Sequence, residues 1–305
     1  MRYLCFLLII FISYISQAQS FDKAFGKYVE EARPKAIKGE IPSLPYELLR
    51  GEKNLDRVLP AIDRSLSDTL VIIRRLGFQS LDVLHRVFDE KIEKQRILGI
   101  QFKGLEDSSF EIQSITLDNM NDLDPDLFTN PQKQRLIQLL NQEVSNKEVL
   151  IELVGRMGEQ SAIESLRNFS QPGNSPKIRW ATYLALARLG DQSAITKVKN
   201  KVSNLQVDSD VVYNIVPGLI YTNQKELYDY LVEELNKEEK NCEPADPDQT
   251  RAINCAYRIL EYITPHIVDF PLTIGASGDI ETNNYRKALE TAREWFAVNP
   301  NYQIL

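Results

Sequence analysis

Asp122-x-Asp124-x-Asp126 opens like a calcium-binding loop, since carboxylates at alternate positions can converge on a hard cation. The EF-hand pattern stops there. Its glycine position holds Leu127 and its bidentate glutamate position holds Lys133. These aspartates are therefore expected on a solvated turn, where their carboxylates cap the next helix. Glu243, Asp246 and Asp248 gather around Pro244 and Pro247 and take the same reading. Nucleophilic catalysis needs a base held near a Ser or Cys, and the sequence offers only His85 and His266, with no Gly-x-Ser-x-Gly elbow. His85 lies in a helical run, Leu81 to Phe88, where a structural or solvent-facing role is expected; His266 follows Pro265 at a helix break. Paired carboxylates for glycoside cleavage would have to converge in a cleft, whereas the acidic residues here spread along polar helix faces. No catalytic residue, metal ligand or cofactor is assigned.

Two features point to binding or linkage instead. Arg167, Lys197, Lys199 and Lys201 make a small basic stripe on an acidic chain, able to meet an acidic protein or polysaccharide; the alternative is that they are ordinary solubilising residues. Cys242 and Cys255, 13 residues apart, form an even pair once Cys5 is removed with the N-terminal segment. In an oxidising compartment such a pair is expected to be bonded, closing a short loop for about 3 kcal/mol. One buried and one exposed free thiol is the alternative. Asn168-Phe169-Ser170 matches the N-glycosylation acceptor but falls inside an expected helix.

The compartment is read from the start of the chain. Met1-Arg2 gives a positive beginning, Leu4 to Ile15 is nearly all apolar, and Ser16-Gln17-Ala18 supplies small residues for a cut after Ala18. This is the form of a secretory signal peptide; an uncleaved anchor would need about 20 apolar residues. The expected mature chain is secreted or periplasmic, with no integral membrane segment. Losing Arg2 leaves 35 basic against 43 acidic residues, a formal charge of −8, which gives the chain no reason to seek nucleic acid or anionic membrane. A hydrophobic fraction of 43% with 13 Gly and 14 Pro among 305 residues favours a folded, helix-rich chain over a disordered one.

The elements that would carry these residues are set by a repeat. Arg156-Met157-Gly158-Glu159-Gln160-Ser161-Ala162-Ile163 recurs 32 residues later as Arg188-Leu189-Gly190-Asp191-Gln192-Ser193-Ala194-Ile195. A degraded third copy, Ile220-Tyr221-Thr222-Asn223-Gln224 with Leu227, keeps the register. In the middle copy Ala181, Leu184, Ala185, Leu186 and Leu189 line one helix, and Ile195, Val198 and Val202 line a second. Gly190 can end the first helix with positive φ, and Asp191 or Ser193 can cap the second. Each copy is thus a helical hairpin.

The middle copy, Lys177 to Asp191, resembles the HEAT repeat in its short, PBS-lyase-like form: a basic residue early, small residues in mid-helix and a Leu-Gly-Asp turn. The resemblance is strong for 176 to 202, good for 147 to 170 and weak for 209 to 235, where Pro217 and Gly218 predict a kink. It implies an all-α solenoid of stacked antiparallel hairpins, roughly seven at the usual 30 to 45 residues each, whose second helices form an inner wall for protein partners. It carries the fold and not the chromophore chemistry of the lyases, because only scaffold residues match.

Beyond the clean copies, Arg75-Leu76-Gly77-Phe78-Gln79-Ser80 repeats the turn motif and predicts further hairpins upstream. Over 97–117 a helix is preferred, with Ser108-Ser109-Phe110-Glu111 as a capping box; alternation at Leu98, Ile100, Phe102, Phe110 and Ile112 leaves a small β-hairpin as the alternative. Arg251 to Ile263 reads as a first helix, and Asn284 to Phe296 as an amphipathic end cap with Trp295 and Phe296 turned inward. The helix Phe21 to Ile37 is expected to cap the other end. The organisation expected is a signal peptide (1–18), an N-terminal cap with irregular repeats (19–130), HEAT-like repeats (131–263), and a loop with a capping helix (264–305). The function expected is a protein-interaction scaffold without catalysis. An enzyme or small-ligand site on the N-terminal third or the 270–282 loop is one alternative, and a structural part of an envelope assembly is the other.

Overall fold

The computed structural model describes residues 21–244, 248 and 250–305. The expected signal segment, together with Cys5 and Asp246, lies outside them. The regular secondary structure of the described residues is helical, with no strand among them beyond isolated bridges, and none of their helices is long and apolar enough to cross a membrane. The chain divides into two compact units, one ending at Leu153 and the other running from Val154 to Leu305.

The first unit holds α1 (21–37), α2 (Tyr46–Gly51), α3 (Leu55–Ser65), α4 (Val71–Val87), α5 (Lys91–Gln101), α6 (Phe110–Asn121) and α7 (Asn130–Leu139). Helix α8 (Lys147–Arg156) follows. Its hub is α4, packed against α2, α3, α5 and α6, with Phe78, Leu84, Ile97 and Ile112 in a core shared with Phe25 and Leu49. The turn expected at Arg75-Leu76-Gly77 is absent, for α4 runs straight through it. Phe78 stands where the true copies carry an acid and is itself buried, and Ser80, at the serine position of the turn, donates to Leu76 O at 2.8 Å inside α4. Gly77 serves another need: a Cβ there would lie 2.5 Å from Ser65 Oγ and 2.6 Å from Leu66 Cδ2, so it lets α3 close on α4. Residues 97–117 are helical, through α5, a 3₁₀ turn (Phe102–Glu106) and α6, which removes the β-hairpin. The expected capping box does not form: Ser109 makes no side-chain cap, and Asp107 Oδ1 accepts from Ser109 N at 2.7 Å instead.

The second unit takes up α9 (Ala162–Arg167), α10 (Pro176–Arg188), α11 (Gln192–Val202), α12 (Ser209–Asn214), α13 (Val216–Thr222), α14 (Lys225–Leu235), α15 (Ala256–Ile263) and α16 (Tyr285–Val298). Hairpins α10/α11, α13/α14 and α15/α16 lie side by side, α10 against α13 against α15 and α11 against α14 against α16. Ser175 caps α10, accepting from Ile178 N at 3.2 Å with Pro176 in the first turn, a position where the missing N–H costs nothing. Helix α10 ends on Gly190 at φ +84°. Gly190 N donates to Ala187 O at 2.8 Å and Asp191 N to Leu186 O at 3.0 Å, the paired bonds of a Schellman ending. Asp191 Oδ1 then accepts from Ala194 N and starts α11.

The copies are joined at their turns. Gln160 Nε2 donates to Leu189 O at 3.1 Å; Arg188 donates to Tyr221 O, and Gln224 Nε2 donates back to Arg188 O at 3.4 Å. Gly158 and Gly190 have positive φ, but in the third copy that conformation falls on Asn223 at φ +53°, one residue later than the 32-residue register. The register puts Thr222 at this position, and a β-branched residue resists positive φ while Asn tolerates it. The kink expected near Pro217 falls at Ile215, between α12 and α13, because a proline ring clashes with the preceding helical turn. Gly218 is more than a breaker: a Cβ there would meet Leu184 Cδ1 at 2.7 Å, so it lets α13 close on α10.

Helix α15 begins at Ala256, five residues later than expected. Ile253 is taken by an antiparallel bridge to Cys242, and Asn254 Oδ1 accepts from Ala256 N at 2.9 Å. The sulfurs of Cys242 and Cys255 are 2.10 Å apart, at bonding distance, with Cα atoms separated by 5.0 Å. At the end of the unit α16 is capped by Asn284 and buries Phe296, with Trp295 half-buried beside it.

Candidate functional site

The second helices and α10 enclose a groove of about 700 Å³ lined by Gln160, Arg167, Gln171, Tyr183, Asp191 and Lys197. Three elements position it. Helix α9 ends at Arg167 and delivers that side chain to the rim; the Gly190-Asp191 turn delivers a carboxylate; and the hairpin brings Lys197 of α11 over the ring of Tyr183 on α10, 5.2 Å from its centroid. Lys201, one turn further along α11, stands 4.5 Å over Trp180. Such ammonium–ring contacts are worth about 0.5–1 kcal/mol at exposed sites.

The four stripe residues are not equivalent. Arg167 is answered by Asp191 at 2.8 Å and more distantly by Glu164 at 3.7 Å. Burial alone would raise the pKa of Asp191, but the Arg167 guanidinium and the backbone N–H groups of Ala194 and Ser193 outweigh it and hold the carboxyl below the usual range. Lys197 and Lys201 meet no carboxylate among the described residues, only the two rings. Lys199 is two residues from each, about 200° around the helix, and faces elsewhere. The structure thus groups Arg167, Lys197 and Lys201 along one side and leaves Lys199 out. Trp180 and Tyr183 were not legible as members of this surface. Their i, i+3 spacing on α10 was a signal, but only the hairpin sets them under lysines spaced i, i+4 on α11.

The other candidates resolve as follows. Asp124 Oδ1 accepts from Asp126 N at 2.9 Å and caps a 3₁₀ turn, Pro125–Leu127, and among the described residues no three His, Cys, Asp or Glu side chains are grouped to hold a metal ion. His85 is buried in α4, its Nε2 2.9 Å from Gln101 Oε1. Burial pulls its pKa down, and the Gln101 hydrogen bond only partly restores it. Its solvent-facing alternative is therefore excluded. His266 sits in a 3₁₀ turn, half-buried, with its pKa also lowered by burial. Asn168–Ser170 is not inside a helix as expected but forms a 3₁₀ turn after α9, with Asn168 exposed. The break is closed by Ser170 Oγ donating to Arg167 O at 2.8 Å. Glu243 N donates to Ser209 Oγ at 2.9 Å, which ties the acidic loop back to α12.

No protein-family model matches this chain, and no curated protein matches it.

Proposed function

We propose that this chain is an exported HEAT-like solenoid, secreted or periplasmic, that acts as a scaffold for a protein partner and has no catalytic role. The 32-residue repeat supports the solenoid reading, as do the side-by-side hairpins and the hydrogen bonds that join successive turns. The Cys242–Cys255 pair at bonding distance favours an oxidising compartment. The observation that carries the binding reading is the state of two cations. Lys197 and Lys201 stand over aromatic rings beside a polar groove, unanswered by any carboxylate among the described residues of an acidic chain. An acidic segment of a partner would supply that charge, with Trp180, Tyr183 and Arg167 as the kinds of side chain that anchor interfaces.

The test compares residues 19–305 with K197E/K201E and with K199E, using crosslinking and capture from envelope and culture fractions of the native host. One stoichiometric partner, kept by K199E and lost by K197E/K201E, supports the reading. A partner retained by all three chains, or none from any fraction, overturns it.

A further inference from the structure

The far end of the second unit carries a second recess, of about 450 Å³, within the size range of small-molecule sites. Trp295 forms one wall, with Asp269, Asn299, Asn301 and Gln303 around it. The indole is held in place from behind: its ring is 5.1 Å from Phe270 and 5.3 Å from Phe296, nearly perpendicular to both. Phe296 in turn packs 5.1 Å from Tyr302, whose hydroxyl donates to Asp229 Oδ1 at 2.8 Å. The opposite wall is the tail. Val268 N donates to Gln303 O at 3.0 Å, Leu305 N donates to His266 O at 2.9 Å, and Ile267 bridges Ile304. An extended chain alternates its faces; Tyr302 and Ile304 turn inward while Asn301 and Gln303 turn out beside the recess.

Two further observations mark this recess among the surfaces of the molecule. The side chains of Asp269, Asn301 and Gln303 bond to none of the described residues, and neither does the Trp295 indole N–H, whereas Asn299 is engaged with Trp295 O at 2.8 Å. Asp269 also holds a left-handed backbone at φ +56°, one of three non-glycine residues to do so among the described residues, and such conformations collect at binding sites.

We propose that this recess binds a neutral carbohydrate. A sugar presents an apolar C–H face, which suits an aromatic ring, and adjacent hydroxyls that both donate and accept. Planar amides and a carboxylate meet that pattern, as an amide donates and accepts and a carboxylate accepts twice. The lining contains no Lys or Arg, so a phosphorylated or carboxylated ligand would find no counter-charge there and would face Asp269. Lys225, stacked over Tyr302, is held 2.6 Å from Asp229.

The two tryptophans, Trp180 and Trp295, allow a direct readout. In the W180F chain, Trp295 is the sole indole emitter. This protein is titrated with cellotriose, maltotriose and triacetylchitotriose, and separately with tetramethylammonium. Saturable change in emission with at least one saccharide is expected, weakened about tenfold or more in W180F/D269A and in W180F/Q303A. Both substitutions are at exposed positions, and circular dichroism of each confirms the helical content. The proposal is overturned if no saccharide saturates, if D269A and Q303A both bind as tightly as W180F, or if only tetramethylammonium saturates, which would make the recess a cation site.

Discussion

Gly155 offers a strict test of how the hairpins pack. It lies near the end of α8, where a Cβ would come 2.9 Å from Ala185 Cα, 2.8 Å from Ala185 Cβ and against the Tyr221 hydroxyl. The tyrosine tip can swing aside, but Ala185 belongs to the α10 backbone and cannot move without displacing its helix. Overpacking by one methyl costs about 1–3 kcal/mol, and about 2–3 kcal/mol where the blocking atoms belong to backbone, offset by about 1 kcal/mol for replacing a helical glycine with alanine. Gly155→Ala should therefore destabilise the second unit by about 1–2 kcal/mol. Both tryptophans lie in that unit, so urea denaturation followed by fluorescence reports it selectively. Gly99→Ala is the control: Gly99 is exposed on α5 with nothing within 4 Å of its would-be Cβ, and the change should stabilise the first unit by up to about 1 kcal/mol by circular dichroism. In a double-mutant cycle, Ala185→Gly should return part of the loss in Gly155→Ala, a coupling of about 0.5 kcal/mol or more. If Gly155→Ala is as stable as the parent, or gains what Gly99→Ala gains, the close approach of α8 to α10 is refuted.

At the third turn, Asn223→Gly should leave stability unchanged or raise it slightly, whereas Thr222→Gly should cost more than about 1 kcal/mol through lost helix propensity and a lost buried side chain; a strict 32-residue register requires the reverse, and the same fluorescence assay decides. For His85, burial lowers the native pKa, so the unfolded chain takes up the proton first and stability falls as pH drops below about 6.5 towards the native value. Replacing the pair by His85→Leu with Gln101→Leu should flatten that dependence in the first unit between about pH 6.5 and 5, and an unaltered slope would remove His85 as its source. Asp191→Ala removes both the α11 cap and the partner of Arg167, and should cost the second unit about 1–2 kcal/mol. Arg167→Gln leaves the cap in place and should cost less than Asp191→Ala. Reduction of the Cys242–Cys255 pair should lower the second unit's denaturation midpoint by the equivalent of about 3 kcal/mol, with the first unit's transition as the internal reference.

Where local rules and packing agreed, the sequence was a good guide. The α10–α11 hairpin was legible because Ser175, Gly190 and Asp191 each satisfy a terminus of their own helix, and α16 because Asn284 caps an amphipathic run. The cysteine pair was legible from count and spacing. The failures share a cause. Gly77 sits in a motif that matches the repeat turn, but its use depends on Ser65 and Leu66 across a helix interface, which no window around Gly77 contains. The start of α15 moved because Ile253 pairs with Cys242, a contact outside its own helix. In the groove, the charges were legible but their state was not. That Arg167 is answered while Lys197 and Lys201 are not follows from a turn folding Asp191 onto α9. The recess at Trp295 had no sequence signature, since its walls come from a loop, a helix end and the tail.

The joints between turns have a direction. From the first copy to the second a glutamine donates forward, from Gln160 to Leu189 O; from the second to the third an arginine donates forward and Gln224 donates backward. Donor and acceptor therefore differ at each junction, and the third turn is set one residue out of step. The hairpins are consequently not interchangeable bricks. Excising the middle copy would bring Gln160 to a turn whose left-handed residue lies one position later. Their order along the chain is keyed, which confines the shuffling or loss of single repeats in this part of the molecule to events that also rebuild the neighbouring turn.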